Sequence, residues 1–503
     1  MQAALPNAEP HQAKSRTPEG LTTSALSRLG VIPHGWLALA VAGLSAALGG
    51  GAVYSPVFVV AATLGVAFVA VAFRSLIGGL VLFTILIFFE QITALTGSGV
   101  TFAKLGGVVL AGSWFLHVIR RERATAVLAK DHPFLGSLAV LLVGWTFSSL
   151  LWAVDVGVAA GDAFQVAQEM LFLFIVYSAI TEPRHLRWLM WAFIGGATST
   201  ALVGLTVAPA PDPYLAPGEG RLSAGVGDPN YLAAFLVAAI VFAVFMFVAE
   251  RGVVQRWLSM SSIVICSLAL FRTQSRGGIV ASGVVLVVAL LLSGPVRFRA
   301  LALVSTIAAF GIFYFTLVAP PQALARITEF RANEGSGRVE LWTVATQVFR
   351  DHPAFGVGAG NFRVVEPGYS ITDIYLRSTY HVLDKSEVVH NTYLHVLAET
   401  GLIGLALFVL LIVTALAMGV RAIKTFSELR DLEMEILGRG LIIGTIGMLA
   451  GFFFISAQYE KQLPLLLGAL AALYTVSRSS AAAVRSTREV ESTTQLRSFE
   501  LLS

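Results

Sequence analysis

Apolar runs recur along the chain from residue 34 to residue 478, each long enough to cross the hydrocarbon core of a bilayer, which takes roughly 17 to 25 residues per helix. They fall near 34–52, 55–73, 75–93, 101–119, 134–153, 163–181, 187–207, 230–249, 256–272, 277–294, 300–319, 401–420, 440–457 and 462–478. This pattern leaves one fold class, an all-α polytopic membrane bundle of about fourteen transmembrane helices, with one large loop containing short helices. Composition agrees. Of 503 residues, 56% are hydrophobic and 13% charged, about half the charged share usual in a soluble domain.

The distribution of charge gives an orientation. Residues 1–33 read as a cytoplasmic N-terminal tail carrying Lys14, Arg16 and Arg28. The first apolar run begins only near Trp36, too far in for a cleavable signal, so an uncleaved first span is expected. Helices one to eleven then occupy 34–319, a large external loop 320–400, helices twelve to fourteen 401–478, and a cytoplasmic tail 479–503. Arg74, Arg120, Arg121, Arg123, Arg184, Arg187, Arg251, Arg256, Arg297, Arg299, Arg421, Lys424 and Arg478 all fall on one side of this arrangement, as the positive-inside rule requires. The arginines of the 320–400 loop do not count against it, because loops longer than about 60 residues escape the rule. No polybasic tract points to nucleic acid. The lone cysteine, Cys266, lies in an apolar run and supports neither a disulfide framework nor a thiolate metal site.

Polar residues with chemical potential concentrate between Gly335 and Gly404. Arg338 to Arg350 reads as a helix ended by His352-Pro353 and a glycine turn. Downstream, HNTYLHVLAETGLIG (His390 to Gly404) runs from polar residues straight into a membrane helix, so His390 should stand at a bilayer edge. Glu90, Lys104, Asp162, Gln165 and Glu169, together with Arg221, Asp228, Arg272 and Arg276, fall by alternation at the outer ends of their helices. Charges at this depth are costly; they snorkel to the interface or converge on a cavity. Arg276 stands out because positive charge on the outer side opposes the trend. Gly356-Val-Gly-Ala-Gly360 is read as a turn rather than a nucleotide loop, since no strand precedes it.

RVELWTVATQVFRDHPAFGVGAGNF followed by HNTYLHVLAETGLIGL resembles the signature of the bacterial O-antigen ligase and O-antigen polymerase superfamily, with the likeness running from about Arg221 to Leu405. The resemblance implies an inner-membrane glycosyltransferase of a helical fold related to the GT-C enzymes. Such an enzyme moves a glycan from undecaprenyl diphosphate to an acceptor hydroxyl on the periplasmic face. In ligases that acceptor is a lipid A core sugar, in polymerases another repeat unit, and the signature does not separate them. It further implies that His390 is the acceptor-activating base, that Arg221 and Arg276 bind the donor diphosphate, and that Arg338 heads the loop motif. Implied partners are the lipid-linked donor, the glycan or lipid A core acceptor and membrane lipid, with chain-length regulators or export proteins as further candidates.

The residues carry the same chemistry independently. A lipid diphosphate gains negative charge as it leaves, and arginine binds phosphate through paired, charge-assisted hydrogen bonds. No Asp-X-Asp or His-X-X-X-His stands in the chain, which argues against a divalent-cation site, so no cofactor is expected; Asp155 and Asp162 are the one alternative pair. At a helix start, the dipole disfavours the imidazolium and helps keep His390 neutral as a base; the alternative is that His390 only caps the helix. Arg272, Arg338, Trp342, Asn391 and Tyr393 complete the candidate substrate-binding set, the aromatic residues because they could stack on sugars. Trp342 follows Arg338 at i+4 on one helix face, and His395 and Glu399 share the same spacing as a structural or supporting pair. The rival function is a lipid-linked oligosaccharide flippase, for which a similar helix count is natural. Transporters commonly carry repeated halves and midplane polar sites, whereas this chain has one dominant late loop and charges near one face. A scaffold is the third option and would not require convergent arginines.

Overall fold

The computed structural model describes residues 56–90, 102–120, 127–206, 221–224, 228–319, 323–324, 338–372 and 388–500. The chain divides into two units, Met1–Ala67 and Phe68–Ser503. Of the first, only the opening turns of α1 (Pro56–Arg74) are described. The first expected span, 34–52, and the N-terminal tail lie outside the described residues.

No strand occurs among the described residues. After α1 come α2 (Leu76–Leu86), α3 (Phe102–Ile119), α4 (Pro133–Ser148), α5 (Val156–Ala179), α6 (Pro183–Thr206), α7 (Pro229–Ala249), α8 (Val253–Thr273), α9 (Arg276–Leu292) and α10 (Arg297–Phe313). The polar stretch contributes α11 (Arg338–Asp351) and α12 (Phe362–Thr372), and the chain closes with α13 (Thr392–Glu428), α14 (Leu432–Gly451) and α15 (Gln462–Glu500). Nine helices among the described residues are long and apolar enough to cross a membrane, and four apolar helices are shorter. The final helix continues past residue 478 to Glu500, so the segment expected as a tail is helical.

Helix α7 forms the centre of the larger unit. Its residues from Leu232 to Met246 are buried all round, the pattern of a helix enclosed by other helices rather than lying against lipid. The closest neighbour is α14, whose Gly440, Gly444 and Gly451 present bare backbone to Phe245, Phe242 and Ala234 of α7. Spacings of four and seven residues between these small positions let two helix backbones approach closely, which is how membrane helices associate where water supplies no hydrophobic drive.

Polar groups gather at two ends. At one, Arg187 pairs with Glu250 (3.6 Å) and with Glu433, joining α6 to the foot of α7 and the head of α14. Nearby in the fold, His132 Nε2 lies 2.7 Å from Thr475 Oγ1, and Arg439 reaches both Glu435 and the Leu292 carbonyl. The opposite end holds the turns after α4, α8 and α14 and a compact layer built on α11. The apolar face of α11, with Val344, Ala345 and Val348, meets Val357, Phe362, Val389 and Ala398 in a small core of its own.

Candidate functional site

Three chain segments meet at this second end, and each arrives for a local reason. The first is the hairpin between α8 and α9. Gln274 turns the chain with a left-handed backbone (φ +48°), and Ser275 caps α9 by accepting from the Gly278 N–H at 3.1 Å. Arg276 is therefore the first residue of α9. The second segment is the approach to α7, where Asp228 caps the helix through the Asn230 N–H. Arg221 binds the two together: its Nε donates to the Thr273 carbonyl and its Nη2 to Asn230 Oδ1, both at 2.9 Å. Ser275 Oγ donates to the same Asn230 oxygen at 2.8 Å. Arg272 has an exposed side chain and contributes its carbonyl, which accepts the Leu222 N–H at 3.0 Å.

The third segment carries His390. Its backbone is left-handed (φ +53°), a conformation uncommon outside glycine and costly enough to point to a role. The His390 N–H donates to Ser456 Oγ at 3.0 Å. Asn391, not His390, is the cap of α13: its Oδ1 accepts from the N–H groups of Tyr393 and Leu394, each at 3.1 Å. Thr392 Oγ1 donates to the Ile455 carbonyl (2.7 Å) and accepts from the Ala457 N–H (2.9 Å), while the Tyr393 hydroxyl donates to the Leu449 carbonyl at 2.8 Å. Trp342 Nε1 donates to the Val389 carbonyl at 3.1 Å, so α11 braces the residue before His390. Arg338 opens that helix. Asn391, Tyr393 and Trp342 thus use polar atoms to hold His390 in place.

Ser456 joins the arms. Its hydroxyl accepts from His390 and its carbonyl from the Tyr231 hydroxyl, and Tyr231 follows directly on the Asn230 that Arg221 grips. On the other side of the hairpin, a Cβ at Gly277 would collide with Phe454, so α9 and the turn after α14 touch backbone to side chain. His390, Arg221 and Arg276 consequently share one frame. Tyr231, Asn230 and Ser456 were not among the expected site residues. The signal for Ser456 was the polar run Ser456-Ala-Gln-Tyr-Glu-Lys-Gln462 between two apolar spans, and for Asn230 and Tyr231 it was the Asp228-Pro-Asn turn that opens an apolar run.

Behind His390 lies a polar seam. His395 Nε2 is 3.0 Å from Glu399 Oε1, and Gln458 Nε2 is 3.1 Å from His395 Nδ1. With the Gln458 amide donating to Nδ1, the ring proton sits on Nε2 and faces Glu399. That carboxylate also accepts the Phe362 N–H at 3.3 Å. Burial, with the carboxylates of Glu399 and Asp162 beside it, holds the Tyr459 hydroxyl protonated well above its ordinary range. Next in the chain, burial pushes the Glu460 carboxyl up to about 7, against the pull of Lys461. Burial alone would lower Lys461, yet Glu90, Glu169 and Glu460 raise it; its Nζ lies 3.0 and 2.7 Å from the two Glu90 oxygens. Glu90 is therefore held in an ion pair within the bundle. The alternative cation pair, Asp155 and Asp162, is divided in use: Asp155 caps α5 through the N–H groups of Gly157 and Val158, and Asp162 takes the Tyr459 hydroxyl.

Residues 261–409 match the family model described as O-antigen ligase, which supports the likeness to the O-antigen ligase and polymerase superfamily. The match includes Arg272, Arg276, Arg338, Trp342, His390 and Glu399. Arg221 lies outside it and enters the site through its bonds to Thr273 and Asn230. No curated protein matches the chain.

Proposed function

We propose that this multi-pass membrane protein, whose residues 261–409 match the O-antigen ligase family model, is a bacterial inner-membrane glycosyltransferase. It moves a glycan from undecaprenyl diphosphate to an acceptor sugar hydroxyl on the periplasmic face, as a polysaccharide polymerase or O-antigen ligase. The observation that carries the reading is the shared frame: Ser456 ties the His390 backbone to Tyr231, beside the Asn230 held by Arg221. A base and a cationic anion-binding arm set on one support suit a transfer in which one group gains a proton as another leaves with negative charge.

In this reading Arg276 and Arg221 face the donor diphosphate, with Arg272 and Arg338 at the rim. An apolar cavity of about 460 Å³, lined by Val241, Phe245, Phe271, Leu286 and Ile307, reaches Ser275, the residue before Arg276, and suits the isoprenoid chain. His390 takes the proton of the acceptor hydroxyl as that oxygen attacks the anomeric carbon. The bond from that carbon to the diphosphate oxygen breaks, and its electron pair leaves with undecaprenyl diphosphate. Arginine charge stabilises this leaving group where it develops, without a divalent cation. The acceptor glycan, or a lipid A core sugar, approaches from the periplasm, and chain-length or export proteins would meet the same face.

Asparagine at position 390 tests the base. Asn tolerates the left-handed backbone that His390 adopts but cannot take a proton at neutral pH. Purified His390→Asn protein is expected to fold and to bind lipid diphosphate. Transfer from a defined undecaprenyl-diphosphate-linked donor should fall by about 100-fold or more, the scale of losing a general base. Near-normal turnover would reject the assignment. Chelator should leave wild-type transfer unchanged, and a loss restored by magnesium or manganese would overturn the arginine mechanism.

A further inference from the structure

A second cleft opens at the same end of the molecule as His390. It has a volume of about 570 Å³ and is lined by Trp152, Val154, Asp351, His352, Phe355 and Val365, among others; ligand pockets run roughly 300–1,000 Å³. None of these residues belongs to the frame around Ser456. The cleft begins where α11 ends. Trp342, which braces Val389, and Asp351, which lines the cleft, stand nine residues apart on one helix, about 14 Å at 1.5 Å per residue.

Its walls combine flat apolar faces with converging polar groups. Trp152 meets Phe355 edge to face at 5.2 Å, and Trp145 stacks beneath Phe355 at 5.6 Å, fixing both rings. Phe355 is nevertheless 52% exposed. Asp351 is oriented by the Tyr369 hydroxyl, which donates to its Oδ2 at 2.8 Å, and His352 is exposed beside it. A membrane anchor would use the aromatic rings at this height but has no use for the carboxylate and the imidazole. A pyranose uses all of them, because it shows a C–H face to aromatic rings and hydroxyls that both donate and accept.

We infer that this cleft is a carbohydrate subsite that holds a sugar unit of the glycan at a distance from the bond being made. The inference rests on the glycosyltransferase reading above. It assigns Trp152 and Phe355 to the sugar's apolar face and Asp351 and His352 to its hydroxyls.

Photocrosslinking in the native membrane tests it on the full chain. p-Benzoylphenylalanine is placed at Val154, which is 66% exposed, or at Phe355, in cells that make the lipid-linked glycan and in cells blocked in its synthesis. The expected result is an adduct carrying the glycan in the first cells and none in the second. Asp351→Asn with His352→Ala should lower that adduct at least about tenfold, the effect of losing roughly 1.4 kcal/mol of binding. Adducts with lipid alone, or no glycan-dependent adduct at either position, would overturn the subsite. Transfer measured in the same membranes separates the two failures. Transfer without a glycan adduct removes only the subsite, whereas loss of transfer from the defined donor by the wild-type protein removes the enzyme reading itself.

Discussion

Arg221 and Arg276 look alike in the sequence, but the fold gives them different work. Arg221 uses its planar fork to bridge the Thr273 carbonyl and Asn230 Oδ1, so part of its value lies in fixing the α8–α9 hairpin against α7. Arg276 begins α9, where the helix dipole and the adjacent N–H groups add to its attraction for an anion. Substitution by lysine keeps the charge and loses the fork, and Arg276→Lys is expected to lose most transfer. Arg221→Lys should lose transfer and also stability, down by about 1–3 kcal/mol for hydrogen bonds to a charged group. Wild-type transfer by Arg276→Lys would take that residue out of the site. His390 and the arginines could be put forward from the sequence because their residue types stand at the margins of apolar runs. Tyr231 and Ser456 could not: they lie 225 positions apart, and hydroxyls next to membrane helices carry no signal of which distant segment they will meet.

The feature at the element scale is the break in α13. Gly401 has φ +66° and ψ −169°, a region that only glycine occupies without a penalty of about 1–3 kcal/mol. The break frees buried backbone groups, which do not go unpaired, and the glycine turn supplies the partners. The Val357 N–H donates to the Ala398 carbonyl at 3.1 Å, the Gly358 N–H to the Glu399 carbonyl at 2.9 Å, and the Leu402 N–H to the Pro353 carbonyl at 2.9 Å. Trp145 Nε1 takes the Thr400 carbonyl at 2.9 Å. A Cβ at Gly401 would run into Ala354, and one at Gly356 into Glu399. Gly401→Ala should therefore lower stability by at least about 1–3 kcal/mol, read as a fall in melting temperature. Transfer should also fall, since the helix head that positions His390 hangs from this junction; an unchanged melting temperature would mean that the break is dispensable. The sequence pattern placed the membrane helix at 401–420, whereas α13 starts at Thr392. Its first turns, Thr392–Thr400, follow the helix start read at His390 but fall outside the apolar run because His395 and Glu399 make them polar. Those groups pair inside the protein, which periodicity cannot reveal. Helix Arg338–Asp351 was legible to within a residue, because Pro353 and the glycines after it end it locally.

For the whole molecule, the question is which end faces out. Among the described residues, Arg187, Glu250 and Glu433 meet at one end, and His390, Arg221 and Arg276 all lie at the other. The two ends are thus distinct in space, and the orientation is one experiment away. Cys266, the only cysteine of the chain, is buried at 1% exposure, so an introduced thiol is read against a silent background. Val364 on α12 and Ser427 at the foot of α13 are both exposed. Val364→Cys is expected to react with a membrane-impermeant maleimide in intact spheroplasts, and Ser427→Cys only after permeabilisation. The reverse pattern would turn the site toward the cytoplasm. In that orientation the charge rule would be violated at connection after connection, a cost the arginines of those connections make hard to sustain. It would also deny His390 an acceptor outside the membrane, and the surface-polysaccharide reading would fall with the topology even if every side chain of the site were in place.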